Sequence, residues 1–112
     1  MSSYQAPQGW IILFDTEDYV YVLDSTDKAA AWLEPATVEE LDSVYDSQGN
    51  PLEILEEGKS YRLRRTEQTQ TVPNLSDRVR QAQARGKLRE IDLSHGGLEN
   101  IGSQLHRKFR IA

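Results

Sequence analysis

Cysteine is absent from the 112 residues. That excludes disulfides, thiolate metal sites and a cysteine nucleophile, and it accords with a reducing compartment. Long apolar runs are missing too. No stretch approaches the ~18 consecutive apolar residues that cross a bilayer, so no membrane partner is expected. The leading Met1-Ser2-Ser3-Tyr4-Gln5 has no basic segment followed by an apolar one. No secretory signal is expected, and the expected location is cytoplasmic. Histidine is scarce. His95 and His106 lie eleven residues apart, without Ser or Asp in the order of a nucleophilic triad. Each reads more readily as a capping or surface side chain than as a general acid or base.

Other catalytic and ligand patterns also fail. An EF-hand loop needs oxygen ligands at its first, third and fifth positions, glycine at its sixth and glutamate at its twelfth. Counted from Asp46, the sixth position is Pro51. Counted from Asp42, the third is Val44. Asp15, Glu17 and Asp18 read as turn residues that hold a cation only adventitiously. Gly96-Gly97 and Gly102 lack the lysine and the strand–glycine–helix order of a phosphate loop. The expectation is a protein that is not an enzyme and has no cofactor and no metal.

What the chain does have is divided charge. Residues 1–59 hold thirteen acidic side chains against Lys28 and Lys59, whereas residues 60–112 hold five against eleven Lys or Arg. The whole-chain net charge of −5 conceals the division. Partners respond to local fields, so the division matters.

The length suits one domain over residues 1–112, with a β-rich acidic part at 10–66, a linker at 67–74 and a helical basic part at 75–112. Trp10–Phe14 and Tyr19–Leu23 are short runs rich in aromatic and β-branched residues. They flank a polar turn and predict a hairpin. Both runs are apolar at consecutive positions, so at least one strand is expected to be covered on both faces. Ala29–Leu33 reads as a third strand, with a short helix capped by Asp27 as the alternative. Thr37-Val38-Glu39-Glu40 has the form of a capping box and predicts one or two helical turns ending near Leu41. Val44–Asp46 runs into the turn signal Ser47-Gln48-Gly49-Asn50-Pro51. Leu52–Glu56 and Tyr61–Arg64 flank Glu57-Gly58-Lys59, and opposite charges are expected to face each other across that pair.

Beyond the polar linker the period changes. Leu75, Val79 and Ala82 share a helical face, with Asn74 or Ser76 as cap and Gly86 as stop. Arg89–Leu93 alternates like a short strand. Leu98, Ile101, Leu105 and Phe109 form one helical stripe. The fold class expected is α+β, an antiparallel β-meander of about five strands followed by two C-terminal helices.

Two surfaces are candidates for binding. Arg78, Arg80, Arg85, Lys87 and Arg89, with Arg107, Lys108 and Arg110, are suited to phosphates, so a nucleic-acid-binding regulator is one reading. The bland alternative is that these cations neutralise the acidic sheet. The second surface is acidic. Asp15, Glu17, Asp18, Asp24, Asp27, Glu34, Glu39, Glu40, Asp42 and Asp46 fall within thirty-two residues and are opposed only by Lys28. Such a field speeds capture of a basic protein. Trp32 and Tyr45, flanked by these acids, are the expected aromatic anchors.

Residues 31–54 carry a Leu-Glu-Pro…Tyr-Asp-x-x-Gly-x-x-Leu pattern in Leu33-Glu34-Pro35 and Tyr45-Asp46-Ser47-Gln48-Gly49-Asn50-Pro51-Leu52. It resembles small bacterial immunity-type proteins that accompany toxins. The resemblance covers about a quarter of the chain and carries over no catalytic residue. It implies a cytoplasmic toxin-neutralising partner. Joined to the acidic surface, the expected function is a non-enzymatic inhibitor or immunity protein that binds a basic protein toxin, with a nuclease as one type.

Overall fold

A computed structural model describes Pro7 and residues 9–66, 73–94 and 97–111. Five antiparallel strands and two C-terminal helices are present, as the sequence indicates, and the strands divide between two sheets. β1 (Ile11–Asp15) is central in the first sheet. β2 (Val20–Leu23) lies on one side and β3 (Leu41–Asp46) on the other. β4 (Leu52–Glu57) and β5 (Ser60–Arg65) form a separate hairpin. A single bridge, Tyr45 to Pro51, connects the hairpin to β3.

Every residue of β1 is buried. The alternation of a strand sends Ile12 and Phe14 to one face and Ile11 and Leu13 to the other. Ile12 and Phe14 pack with Val22, Tyr45 and the helices α3 (Leu75–Ala84) and α4 (Leu98–Phe109), through Leu75, Val79, Ile101 and Leu105. Ile11 and Leu13 pack with Val44, Ala29, Leu33, Leu52 and Leu63. The sheet is therefore the middle layer between two helices and the β4–β5 hairpin. Each large aliphatic side chain so buried contributes roughly 1.5–3 kcal/mol.

Three local expectations are corrected. Ala29–Leu33 is not a strand. α1 (Thr26–Trp32) runs through it, and its cap is Ser25 rather than Asp27, with Ser25 Oγ accepting from the Lys28 amide at 3.1 Å. Alanine's helical preference outweighs the shortness that Pro35 imposes. The capping box at Thr37 is not used either. α2 (Pro35–Glu40) starts earlier, because proline's fixed φ suits the first helical position and holds Glu34 extended. Arg89–Leu93 makes no strand. Gln83 Nε2 donates to the Leu88 and Ile91 carbonyls, and Gln104 exchanges two bonds with the Asp92 backbone. Two glutamines thus satisfy the backbone that a strand partner would have satisfied, and Ile91 plugs the core. Residues 67–72 of the expected linker, and His95, lie outside the described residues. Asn74 caps α3 by accepting from the Asp77 amide at 2.8 Å.

The cross-strand charge expectation holds. Glu53 is opposite Arg64 in the register and forms an ion pair with it, and Glu57 pairs with Arg62 at 3.2 Å. No helix among the described residues is long and apolar enough to cross a membrane.

The turn after β3 presses on α4. A Cβ on Gly102 would lie 2.9 Å from the Ser47 carbonyl oxygen, which is backbone and cannot swing aside. Gly49, at φ +82°, faces Leu98 equally closely. Gly102→Ala is therefore expected to lower stability by about 1–3 kcal/mol, although alanine is the better helix former by about 1 kcal/mol. Thermal unfolding of the two proteins checks the sign.

Candidate functional site

Several of the acidic candidates are spent on the fold. Asp15 ends β1, and its Oδ1 accepts from the amides of Glu17 and Tyr19 while Oδ2 accepts from the Tyr21 hydroxyl at 3.1 Å. Asp46 ends β3 in the same way. Its Oδ1 accepts from the amides of Gln48 and Asn50, and its Oδ2 from the Asn50 side chain. Both are Asx turns that close a loop with the strand's last side chain.

Asp18 sits in the left-handed region at φ +69° and is only 4% exposed. Arg85 reaches it with two bonds, of 2.6 and 2.7 Å. Arg78 Nη1 is 2.8 Å from its Oδ1. That last approach is an ion pair whose N–H is not aimed at the oxygen, so Nη1 has no directed bond. These bonds, from Arg85 foremost, hold the Asp18 carboxyl below its ordinary pKa against the opposing effect of burial. Arg78 is itself fully buried. It donates to Ser43 Oγ and to the Asp15 carbonyl, lies 2.9 Å from Asp42, and stacks 4.7 Å from the centroid of Phe14.

Asp24 is taken up at the C-terminus. Arg110 grips it through Nε and Nη2, one edge of its guanidinium, His106 Nε2 approaches to 3.0 Å, and Lys28 lies 3.6 Å away. Arg110 above all, then His106, holds this carboxyl far below the usual carboxylate range. Trp10 stacks on His106 at 4.3 Å. The Ile111 amide donates to the Val22 carbonyl, so the chain end is fastened along the free edge of β2. In this way arginines of the basic half neutralise Asp18 and Asp24 of the acidic half, across 67 and 86 residues of sequence.

The two anchor candidates part company. Tyr45 is fully buried, and its hydroxyl donates to the Pro73 carbonyl at 2.6 Å. Burial pushes this phenol up to about 12. It packs edge-on against Phe14 and presents nothing to a partner. Trp32 is half-buried at the end of α1, with its ring 5.1 Å from that of Tyr21.

What remains outside is α2 and its surroundings. This helix buries none of its residues. Glu39 and Glu40 on it and Glu34 just before it are exposed, as are Glu17 and Asp27, and none has a cationic partner among the described residues. α2 is a ridge with a hollow on each side. Towards the β4–β5 hairpin lies a groove of about 360 Å³ lined by Pro35, Val38, Glu39, Ile54, Glu56 and Tyr61. On the other side lies a notch of about 120 Å³, lined by Asp15, Tyr21, Trp32, Thr37, Glu40 and Leu41. It abuts a hollow of about 130 Å³ at Asp15, Thr16, Glu17 and Glu40. The Thr16 amide donates to the Glu40 carbonyl at 2.9 Å and ties the ridge to the β1–β2 turn.

Sequence reading missed Tyr21, Val38, Ile54 and Tyr61 as lining residues. Tyr21 and Tyr61 pack, partly buried, against the core that holds Ile11, Leu13 and Leu63, and only the placement of α2 turns their outer parts into walls. Among the described residues, no three His, Asp or Glu side chains gather as metal ligands. Comparisons with protein-family models, curated proteins and solved structures give no match.

Proposed function

We propose that this chain is a non-enzymatic inhibitor of the immunity type, which binds and neutralises a basic protein toxin through the α2 ridge and the β1–β2 turn. One observation carries the reading. Asp18 and Asp24 are matched by the fold's own arginines and Asp15 and Asp46 by hydrogen bonds within their turns, whereas Glu17, Glu39 and Glu40 line the hollows, and they and Glu34 are exposed without a cationic partner among the described residues. Unmatched charge of one sign beside apolar hollows suits fast encounter followed by side-chain insertion. The resemblance of residues 31–54 to immunity-type proteins points the same way, and it includes all of α2. The phosphate-binding cleft of a nuclease is the kind of basic surface such a ridge would fill.

Charge reversal tests this. Glu17→Lys, Glu39→Lys and Glu40→Lys together are expected to slow association with the product of a neighbouring toxin gene by about tenfold or more at low salt, with the gap closing as salt rises. Stopped-flow or surface-based kinetics measure it. An unchanged association rate sinks the reading. Asp15 and Asp18 stay out of the variant because both are buried.

The nucleic-acid reading loses its principal carriers. Arg78 and Arg85 are committed to Asp18, and Arg110 to Asp24. Lys87, Arg89, Arg107 and Lys108 remain, at separate places along the C-terminal third.

A further inference from the structure

The notch beside Trp32 combines three things: an aromatic wall, carboxylate oxygens and room for one side chain. Tyr21 and Trp32 form the wall, with rings inclined at 41°. Glu40 and Asp15 supply the oxygens. Asp15 Oδ1 is already engaged by two amides, and among the described residues its Oδ2 accepts from the Tyr21 hydroxyl alone, so Oδ2 retains capacity. The Glu40 carboxylate has no partner among the described residues. The Tyr21 hydroxyl is held protonated beyond its usual range, by burial first, then by its bond to Asp15 and by the charges of Asp15 and Glu40. The notch is therefore a negative field against a π-face.

We infer that this notch is the seat for an arginine side chain of the basic partner. The inference rests on the reading above for the partner's being a protein, and it adds which of the partner's groups enters and where. Charge complementarity selects a cation. The aromatic wall selects a planar one, because guanidinium can lie on a ring face while its edge donates to carboxylates in the same plane, which a compact, strongly hydrated ammonium cannot do. The molecule already contains this combination. Arg78 stacks on Phe14 while its edges meet Asp18, Asp42 and the Asp15 carbonyl. Asp15 belongs to both places, its carbonyl to the internal arginine and its carboxylate to the notch. The external site repeats, on the opposite side of one residue, a recognition the fold performs inside.

The test uses the full chain and Nα-acetyl-L-arginine methylamide as probe, followed by NMR at the indole N–H signals. The two tryptophans serve as reporter and control, since Trp10 stacks on His106 and lines none of the three hollows. Saturable millimolar shifts are expected at Trp32 and not at Trp10. The lysine counterpart should bind several-fold more weakly. The neutral citrulline counterpart should bind about tenfold more weakly or not at all. Glu40→Gln, an exposed change that leaves the fold intact, should weaken arginine binding at least about threefold. Equal shifts at both indoles, equal binding of citrulline, or an unaffected Glu40→Gln protein would each overturn the inference. The outcome separates from the toxin reading. A charge-sensitive toxin complex without arginine shifts at Trp32 removes the notch alone, and arginine shifts without any toxin complex remove the immunity reading alone.

Discussion

Arg78→Ala is expected to lower the stability of this protein by about 3–5 kcal/mol, the cost of removing one partner from a buried ion pair. Arg78 is fully buried, and its guanidinium touches Asp18, Asp42, Ser43, the Asp15 carbonyl and the Phe14 ring. Alanine would remove all of these and leave a cavity beside Phe14. Asp18 would keep Arg85, but Arg85 is largely solvent-exposed and screens less of a buried carboxylate. Urea unfolding followed by tryptophan fluorescence measures the loss as a lower midpoint at unchanged slope. Arg80→Ala is the control. Arg80 lies two residues along the same helix in an exposed pair with Asp77, and its loss should cost no more than about 0.5 kcal/mol. The same centre sets an acid limit. Asp18 has its folded pKa depressed, so its contribution is present above the ordinary carboxylate value of 3.8 and is lost as pH falls below it. The unfolding midpoint should therefore decline on acidification from about pH 5, and more shallowly in Arg85→Ala, where the first cause of the depression is gone.

Such long-range pairs explain why part of this molecule is readable in sequence and part is not. The consecutive apolar run at β1 announces a doubly covered strand, and the spacing of Leu98, Ile101, Leu105 and Phe109 announces α4, because each depends on local period alone. Glu53 and Arg64 are legible because a hairpin fixes their register. Asp18 and Arg78 are not, since nothing local brings α3 over the β1–β2 turn. Tyr45 illustrates a different failure. In β3 both faces are covered, with Val44 in one core and Tyr45 in the other, so alternation carries no sign of which aromatic stays outside. Acidic neighbours suggested exposure, yet Asp46 beside it is buried as well. For the candidate site, the exposed glutamates of α2 were within reach of sequence reading. The hollows beside them were not, because they arise where α2 meets β2 and the distant β4–β5 hairpin.

Asp46→Ala should destabilise the fold by about 3 kcal/mol or more without touching partner recognition directly. The carboxylate is fully buried and accepts from two amides and one side-chain amide within its own turn. Hydrogen bonds to a charged group contribute roughly 1.5–3 kcal/mol each, and the amides of Gln48 and Asn50 would be left without their acceptor. The turn it holds also carries Gly49 and Ser47, against which α4 is seated, so slackening here reaches the helix that fastens the C-terminus. Asp46→Asn keeps a carbonyl oxygen where Oδ1 stands and should retain much of the stability. Glu39→Gln, which removes the same unit of charge from the exposed ridge, should leave the unfolding midpoint within about 0.5 kcal/mol of the original while slowing capture of a basic partner. Measuring stability and association rate on the same three proteins separates the two uses of acid in this chain. If Asp46→Ala unfolds at the same urea concentration as the original, the turn is not held by that carboxylate, and the division between structural and displayed acids fails at its clearest point.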